Sequence, residues 1–334
     1  MKTWRKPLKL GLVGATGVVG ETFINLLEEY AYPVEEFRPF ASQNSEGSKL
    51  FLAGQNWAVQ TLKPGCFNGL DMVFFSSGDD LSKEWAPQAV KAGAFAIDNS
   101  NAFRMNNNIL LVVPEVNGHL IDKNSKPQII SNPNCSTIQL VMALKPLQLH
   151  YGIEEVVVST YQAVSGAGLA GYEELLEQTK NFQVPNHEGK AFPKQILFNC
   201  IPQIGSFDEN GFCSEEIKIM NETPKILGQA DLKVSAFTVR IPALNSHSEA
   251  VWVTLKKDVD RLDLLKTMDD FPGLAMMDTD YPTPLEVSGE EPVFVGRVHQ
   301  DLHNPKKWLM WVVSDNLKKG AALNGLQIAD LIFS

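Results

Sequence analysis

The chain's most reactive side chain is set in the stretch QIISNPNCSTIQLVMAL, residues 128–144, where Cys135 follows Asn-Pro-Asn and opens what reads as an amphipathic helix. A cysteine thiol has a pKa near ~8.5 and is mostly protonated at neutral pH, so a helix N-terminus or a neighbouring base is needed to favour the thiolate. Cys135 directly precedes the apolar pattern STIQLVMALKPL, which places it at such a terminus. The other cysteines, Cys66, Cys200 and Cys213, have no companion motif and read as structural or without a role.

Three further segments carry polar groups that packing alone does not require. TYQAVSGAG (160–168) sets Gln162 ahead of a small-residue loop able to approach a cofactor. VRIPALNSHSEAVW (239–252) holds Arg240 and His247 seven residues apart, and histidine can take and return a proton near neutral pH. CSEEIKIMNETPKILG (213–228) places Glu215 and Lys218 three apart on one helix face, a spacing that also suits a solvated ion pair. His119, His150, His187, His299 and His303 lack a companion and read as surface or loop residues.

A fourth segment, KLGLVGATGVVGETF, spaces Gly11, Gly14, Gly17 and Gly20 at three-residue intervals between a strand and a helix. Glycine lets the main chain turn tightly and approach a pyrophosphate, whose charge then lies at the helix N-terminus. The partner expected ~20 residues on, an acid for NAD or an arginine for NADP, falls in PFASQNSEGSKL. Neither occupies the strand tip there, so the nicotinamide preference is open.

These groups need elements to position them. LKLGLVG (8–14), EEFRPFAS (35–42), DMVFFSSG (71–78) and AFAIDNS (94–100) read as strands, and GETFINLLEEY (20–30) and SKEWAPQAVKAG (82–93) as helices. That alternation predicts βαβ units on a Rossmann-like, doubly wound parallel sheet. From about residue 151 longer β-rich runs, with KVSAFTVRIPALNSHSEAVWVTLKK as a strand pair, predict an α+β second domain with fewer helices. NLKKGAALNGLQIADLIFS predicts a terminal helix. The expected division is 1–134 with 315–334 as a dinucleotide-binding domain, and 135–314 as a second domain, to which the family resemblance given below adds catalysis and dimerisation.

With 44% hydrophobic and 20% charged residues the chain reads as an ordinary globular protein of two domains. A net charge of −10 and the lack of a Lys/Arg stripe argue against a nucleic-acid partner. No run approaches the ~18 apolar residues of a membrane span. The cysteine spacing fits neither a zinc site nor a disulfide framework, so no metal is expected and a reducing cytoplasm is the expected compartment.

The segments GATGVVG, SKEWAPQAVKAG, IDNSNAFR, VPEVN, SNPNCST, STYQAVSGAG, SEEIK, VRIP, HSEAV and DNLKKGAALN together resemble the aspartate-β-semialdehyde dehydrogenase family over essentially the whole length. SNPNCST is the specific one, because the glyceraldehyde-phosphate and N-acetylglutamyl-phosphate families surround their cysteines differently. The resemblance implies a glyceraldehyde-phosphate-dehydrogenase-like second domain and NAD(P)H-dependent, reversible reduction of β-aspartyl phosphate to aspartate semialdehyde and phosphate through a Cys135 thioester. It implies a place in lysine (by diaminopimelate), methionine, threonine and isoleucine synthesis, and a homodimer. Carried over by position, Cys135 is the nucleophile, His247 the acid/base and Gln162 the residue orienting the reacting intermediate. Arg240 would hold the substrate carboxylate, Glu215 its ammonium group, Arg104 and Lys218 the phosphate, and Asn134 would touch substrate. Gly14, Thr16, Gly17, Val18, Val19, Asn44, Ser45, Ser165, Gly166 and Asn316 would contact the cofactor.

Two departures stand out. Asn44, in ASQNS, replaces an arginine common in NADP-binding members, so NADP is expected with NAD use open. Ser246 stands where glycine often precedes the histidine, and a β-carbon there would restrict the loop if φ is positive. The alternative reading is a catalytically retired paralogue that binds a nucleotide or a partner protein, yet such a relative would be expected to have lost the cysteine, histidine or phosphate cations.

Overall fold

In the computed structural model, residues 4–181 and 189–334 are described, and His187 lies outside them. In chain order the strands are β1 (Leu8–Val13), β2 (Val34–Phe40), β3 (Lys49–Leu52), β4 (Gln55–Ala58), β5 (Met72–Phe75), β6 (Phe95–Asp98), β7 (Leu110–Leu111), β8 (Ile129–Ser131), β9 (Ile153–Gln162), β10 (Lys233–Arg240), β11 (His247–Leu255), β12 (Leu274–Met277), β13 (Val293–Gln300) and β14 (Lys307–Ser314). The helices are α1 (Val18–Glu29), α2 (Asp79–Lys91), α3 (Pro114–Asn117), α4 (Cys135–Tyr151), α5 (Gly168–Lys180), α6 (Ser214–Leu227), α7 (Arg261–Asp269), α8 (Pro284–Val287) and α9 (Leu323–Phe333).

The chain divides into two units, Met1–Pro133 with Ala321–Ser334, and Asn134–Gly320. The first is built on a six-stranded parallel sheet in the order β2-β1-β5-β6-β8-β7. Its strands are apolar on both faces because helices cover both, as parallel sheets require. One face packs Leu10, Phe23, Phe74, Ile97, Leu326 and Ile328 together, and the other Val73, Phe75, Trp85 and Ala86. Phe23 and Phe74 stack with ring centroids 4.5 Å apart. The last helix, α9, completes this core. Trp4 Nε1 and the Tyr32 hydroxyl both donate to its Asp330 carboxylate, at 3.0 and 2.9 Å.

The second unit carries a six-stranded mixed sheet in the order β10-β9-β11-β14-β13-β12. β10 and β11 are therefore not neighbours, as a strand pair would be; β9 lies between them, parallel to β10 and antiparallel to β11. Among the described residues this unit carries five helices, α4–α8, more than the β-rich texture predicted. The short polar helix α7 and the segment after Gly168 give little apolar periodicity to read. Alternation along β9 buries Val156, Val158, Thr160 and Gln162 and leaves Val157 exposed.

α4 is not amphipathic. Ser136 to Leu144 are all buried, so its first three turns are enclosed on every side and no polar face remains to produce periodicity. After β14 the chain winds through a π-helical segment, Lys318–Ala322, before α9. The terminal helical pattern is thus two elements, divided between the units.

Candidate active site

Strand register gathers the second unit's polar groups. Arg240 pairs with Gln162 at the ends of β10 and β9, and Tyr161 pairs with Ser248, the residue after His247, at the start of β11. Gln162, Arg240 and His247 therefore lie at one end of three adjacent strands.

Asn134 caps α4: its Oδ1 accepts from the Ser136 and Thr137 amides at 3.0 and 3.2 Å. Asparagine is among the best N-cap residues because it satisfies amides that have no partner within the helix. The cap leaves Cys135, half-buried, as the first helical residue at the positive end of the helix dipole. The Asn134 Nδ2 group donates to Glu215 Oε1 at 2.7 Å, and Gln162 Nε2 donates to the same oxygen at 3.1 Å. Lys218 Nζ lies 3.1 Å from Glu215 Oε2. Burial acts to raise the Glu215 carboxyl, but the Lys218 charge and the hydrogen bonds from Asn134, Gln162 and Lys218 outweigh it and hold it at about 2. This is a fixed buried anion with satisfied oxygens, not a solvated surface pair.

Arg240 is 5% exposed, and its Nη1 donates to the Ala163 carbonyl at 2.6 Å. Burial lowers the guanidinium from its ordinary value, opposed by the negative charges of Glu215 and Cys135. The Ala163 amide donates to His247 Nδ1 at 3.1 Å, so Nδ1 is an acceptor and the neutral ring carries its proton on Nε2. Nε2 is buried without a hydrogen-bond partner among the described residues. Burial first, and Arg240 second, lower His247 to about 3, so the ring is neutral at physiological pH. Gly166 covers both groups. A β-carbon on it would lie 2.8 Å from Arg240 Nη1 and 3.2 Å from His247 Nε2, so only glycine allows this approach.

The loop before His247 shows what the serine substitution meets. Ser246 has φ of +69°, the left-handed region that disfavours a β-carbon, and its amide donates to Asn316 Oδ1 at 2.9 Å. Asn316 Nδ2 donates to Ser165 Oγ at 3.0 Å, and Ser165 Oγ to Asn245 Oδ1 at 3.1 Å. Asn245 in turn donates to Asp315 Oδ2 at 2.8 Å, and Asp315 Oδ1 accepts from the Leu317 and Lys318 amides. Asp315 opens the DNLKK segment and Asn245 precedes HSEAV by two residues, but neither residue type suggests a role by itself. Glu249, within HSEAV, shares His247's face of β11, and burial pushes its carboxyl well above the usual range.

The remaining assigned residues belong to the first unit. Gly14 has φ of +84°, and a β-carbon there would come within 2.3 Å of the Ser76 carbonyl. Thr16, Gly17, Val18 and Val19 are half-buried at the start of α1, whose N-terminus no side chain caps. Its first-turn amides and dipole therefore suit a pyrophosphate. Asn44 is exposed and Ser45 half-buried in a 3-10 turn (Gln43–Ser45) shortly after β2. Arg104 is 5% exposed, with Nε donating to the Asn132 carbonyl and Nη2 to the Asn99 carbonyl at 2.9 and 2.8 Å.

Comparison with known proteins accounts for both units. The profile for "Semialdehyde dehydrogenase, NAD binding domain" matches residues 9–124, and that for "Semialdehyde dehydrogenase, dimerisation domain" matches residues 144–319. The aspartate-semialdehyde dehydrogenase of Aquifex aeolicus is 45% identical over 331 residues, covering 97% of each chain. That of Bacillus subtilis is 42% identical, covering 97% of this chain and 96% of its own. The crystal structure of aspartate semialdehyde dehydrogenase II complexed with ASA from Vibrio cholerae superposes with a TM-score of 0.94 at 40% identity, covering 98% of both chains. The chain therefore belongs to the aspartate-semialdehyde dehydrogenase family, NAD(P)-dependent oxidoreductases that act on an aldehyde.

Proposed function

We propose that Cys135 is the covalent nucleophile in the reduction of β-aspartyl phosphate, with the Nε2–H of His247 as the donor that faces the reacting acyl oxygen. The observation that supports this most is the pairing of a capped helix N-terminus at Cys135 with a neutral His247 whose Nε2 has no partner among the described residues. Cys135 attacks the acyl carbon as the thiolate that the helix N-terminus favours, and His247 Nε2–H donates to the oxyanion that forms. The carbon–oxygen bond to phosphate breaks, phosphate leaves as the anion, and a thioester remains on Cys135. A bound nicotinamide would supply hydride to this carbon. The carbon–sulfur bond then breaks, the aldehyde leaves, and Cys135 is regenerated as the thiolate.

Arg240 is suited to a substrate carboxylate and Glu215 to the ammonium group, while Gln162, tied to Glu215, fixes the angle at the acyl carbon. Arg104 in the first unit and Lys218 in the second are each proposed as a phosphate cation. For the cofactor, the proposed contacts in the first unit are the α1 N-terminus and Gly14, suited to a pyrophosphate, and those in the second unit are Ser165, Gly166 and Asn316. Asn44 supplies no cation for a 2′-phosphate, so we expect use of NAD as well as NADP.

We also propose a homodimer through the mixed sheet. Val157, Tyr161, Phe237, Trp252, Leu309 and Trp311 alternate with the buried positions and form an apolar sheet face; Phe237 is 57% exposed. A monomeric surface rarely leaves so many large side chains together. A second copy of this chain would cover them.

The deciding measurement is reduced-nicotinamide absorbance with aspartate semialdehyde and phosphate, comparing NADP with NAD and wild type with Cys135→Ser. Phosphate-dependent reduction that disappears in the variant is the expected result. Full turnover in Cys135→Ser would overturn the nucleophile assignment.

A further inference from the structure

Pro133 has no amide hydrogen, so the Asn134 N–H is the first main-chain donor as the chain enters α4. That donor goes to Glu222 Oε2, at 2.8 Å. Glu222 lies on α6, seven residues and about two turns beyond Glu215, and is 1% exposed. The same helix thus holds Asn134 twice: Glu215 takes the side-chain amide and Glu222 takes the main-chain amide. Lys225, one turn further, interacts electrostatically with Glu222.

A buried carboxylate costs several kcal/mol unless its hydrogen bonds are satisfied, and an apolar residue of like size would fill the space without that cost. Packing alone therefore does not explain a glutamate here. With Asn134 Oδ1 committed to the helix cap, Nδ2 to Glu215 and the carbonyl to the Ile138 amide, Glu222 takes the one remaining polar group of Asn134, its main-chain N–H. We propose that Glu222 is a positioning residue for the nucleophile. It fixes the main chain at Asn134, and with it the direction in which the Cys135 side chain leaves α4. This rests on Cys135 being the nucleophile. Displacement of a reacting group by about 1 Å can lower turnover about 100-fold without weakening binding.

The test compares Glu222→Ala, Glu222→Met and Glu222→Gln with wild type by melting temperature, kcat and KM for aspartate semialdehyde. Methionine matches the volume without the acceptor, and glutamine keeps an acceptor oxygen. The expected result is a kcat loss of about 10–100-fold in the alanine and methionine variants, with KM within about threefold. Glutamine should restore kcat to within about threefold of wild type, because its oxygen can accept the same bond. Wild-type kcat in folded Glu222→Ala or Glu222→Met, equal losses in all three, or a change in KM alone would overturn the proposal. Should neither apolar variant fold, a large kcat loss in folded Glu222→Gln would overturn it, and near-wild-type kcat would support it. Cys135→Ser runs alongside: full turnover there would remove the nucleophile reading itself, whatever Glu222 does.

Discussion

Glu215 and His247 belong to one cluster, both buried, and burial has opposite consequences for them. Around Glu215 the chain supplies a lysine and two side-chain amides, so the carboxylate keeps its charge. Around His247 the described residues supply a main-chain amide to Nδ1, a nearby guanidinium, and no partner to Nε2, so the ring is neutral. A group that must hold a substrate charge is satisfied in advance, whereas a group that must meet the reacting oxygen keeps its N–H uncommitted.

The contrast breaks most visibly in turnover. His247→Asn should lower kcat by about 10²–10³-fold, the usual worth of one preorganised donor to a developing oxyanion, with little change in KM. Glu215→Gln should mainly raise KM for the semialdehyde, by roughly 10–100-fold, as expected for losing a charged hydrogen-bonding partner. If kinetics of the two variants show the same kcat and KM pattern, the division of labour is wrong.

Gly166→Ala pushes on both groups at once. Its new carbon would crowd Arg240 Nη1 and His247 Nε2, and kcat/KM should fall by about 10–100-fold while the melting temperature changes by only a few degrees.

Acid unfolding separates the two flanks by pH window. His247 is depressed from 6.5 to about 3, so below pH about 6.5 the unfolded chain binds a proton that the folded chain refuses, and stability falls as pH drops toward 3. Glu215 is held at about 2 against 4.5, so its contribution, on the order of 3 kcal/mol, is present above pH about 4.5 and is lost as pH falls to 2. Denaturant titrations across pH should show His247→Asn flattening the upper window and Glu215→Gln the lower. Flattening of the same window by both would contradict the assignment.

The smallest effect belongs to the loop. Ser246→Gly relieves a left-handed serine at the cost of a looser unfolded chain, and should stabilise by about 0.5–1 kcal/mol. Thermal melts would register a rise of about 2 °C. A fall would mean that the serine's β-carbon packs usefully.

Residues whose roles depend on local chain geometry were legible beforehand. Cys135 before an apolar run announced a helix start, though not the cap that Asn134 supplies, and the three-residue glycine spacing announced the turn at Gly14. The strands of the first unit followed from apolar runs. Other features rest on contacts between distant segments, which spacing does not encode. Asn245 meets Asp315 and Ser165 only through folding, and β9 inserts between β10 and β11 because of sheet order. The hairpin of β3 and β4 and the two-residue β7 are too short for periodicity to register. Glu215 and Lys218 showed the spacing of a surface pair, and only the packing of α6 beneath Asn134 made them an interior one.

The return of α9 to the first unit sets an order of events during synthesis. Leu326, Ile328 and Ile332 complete a core begun by Leu8, Leu10 and the α1 residues Phe23 and Leu27, so the parallel sheet emerges from the ribosome with one wall incomplete. It must wait until the whole of Asn134–Gly320 has been translated, roughly 10–40 s at bacterial elongation rates. Throughout that interval the part of this face that α9 covers is open to chaperone capture, and the second unit can finish folding before the first.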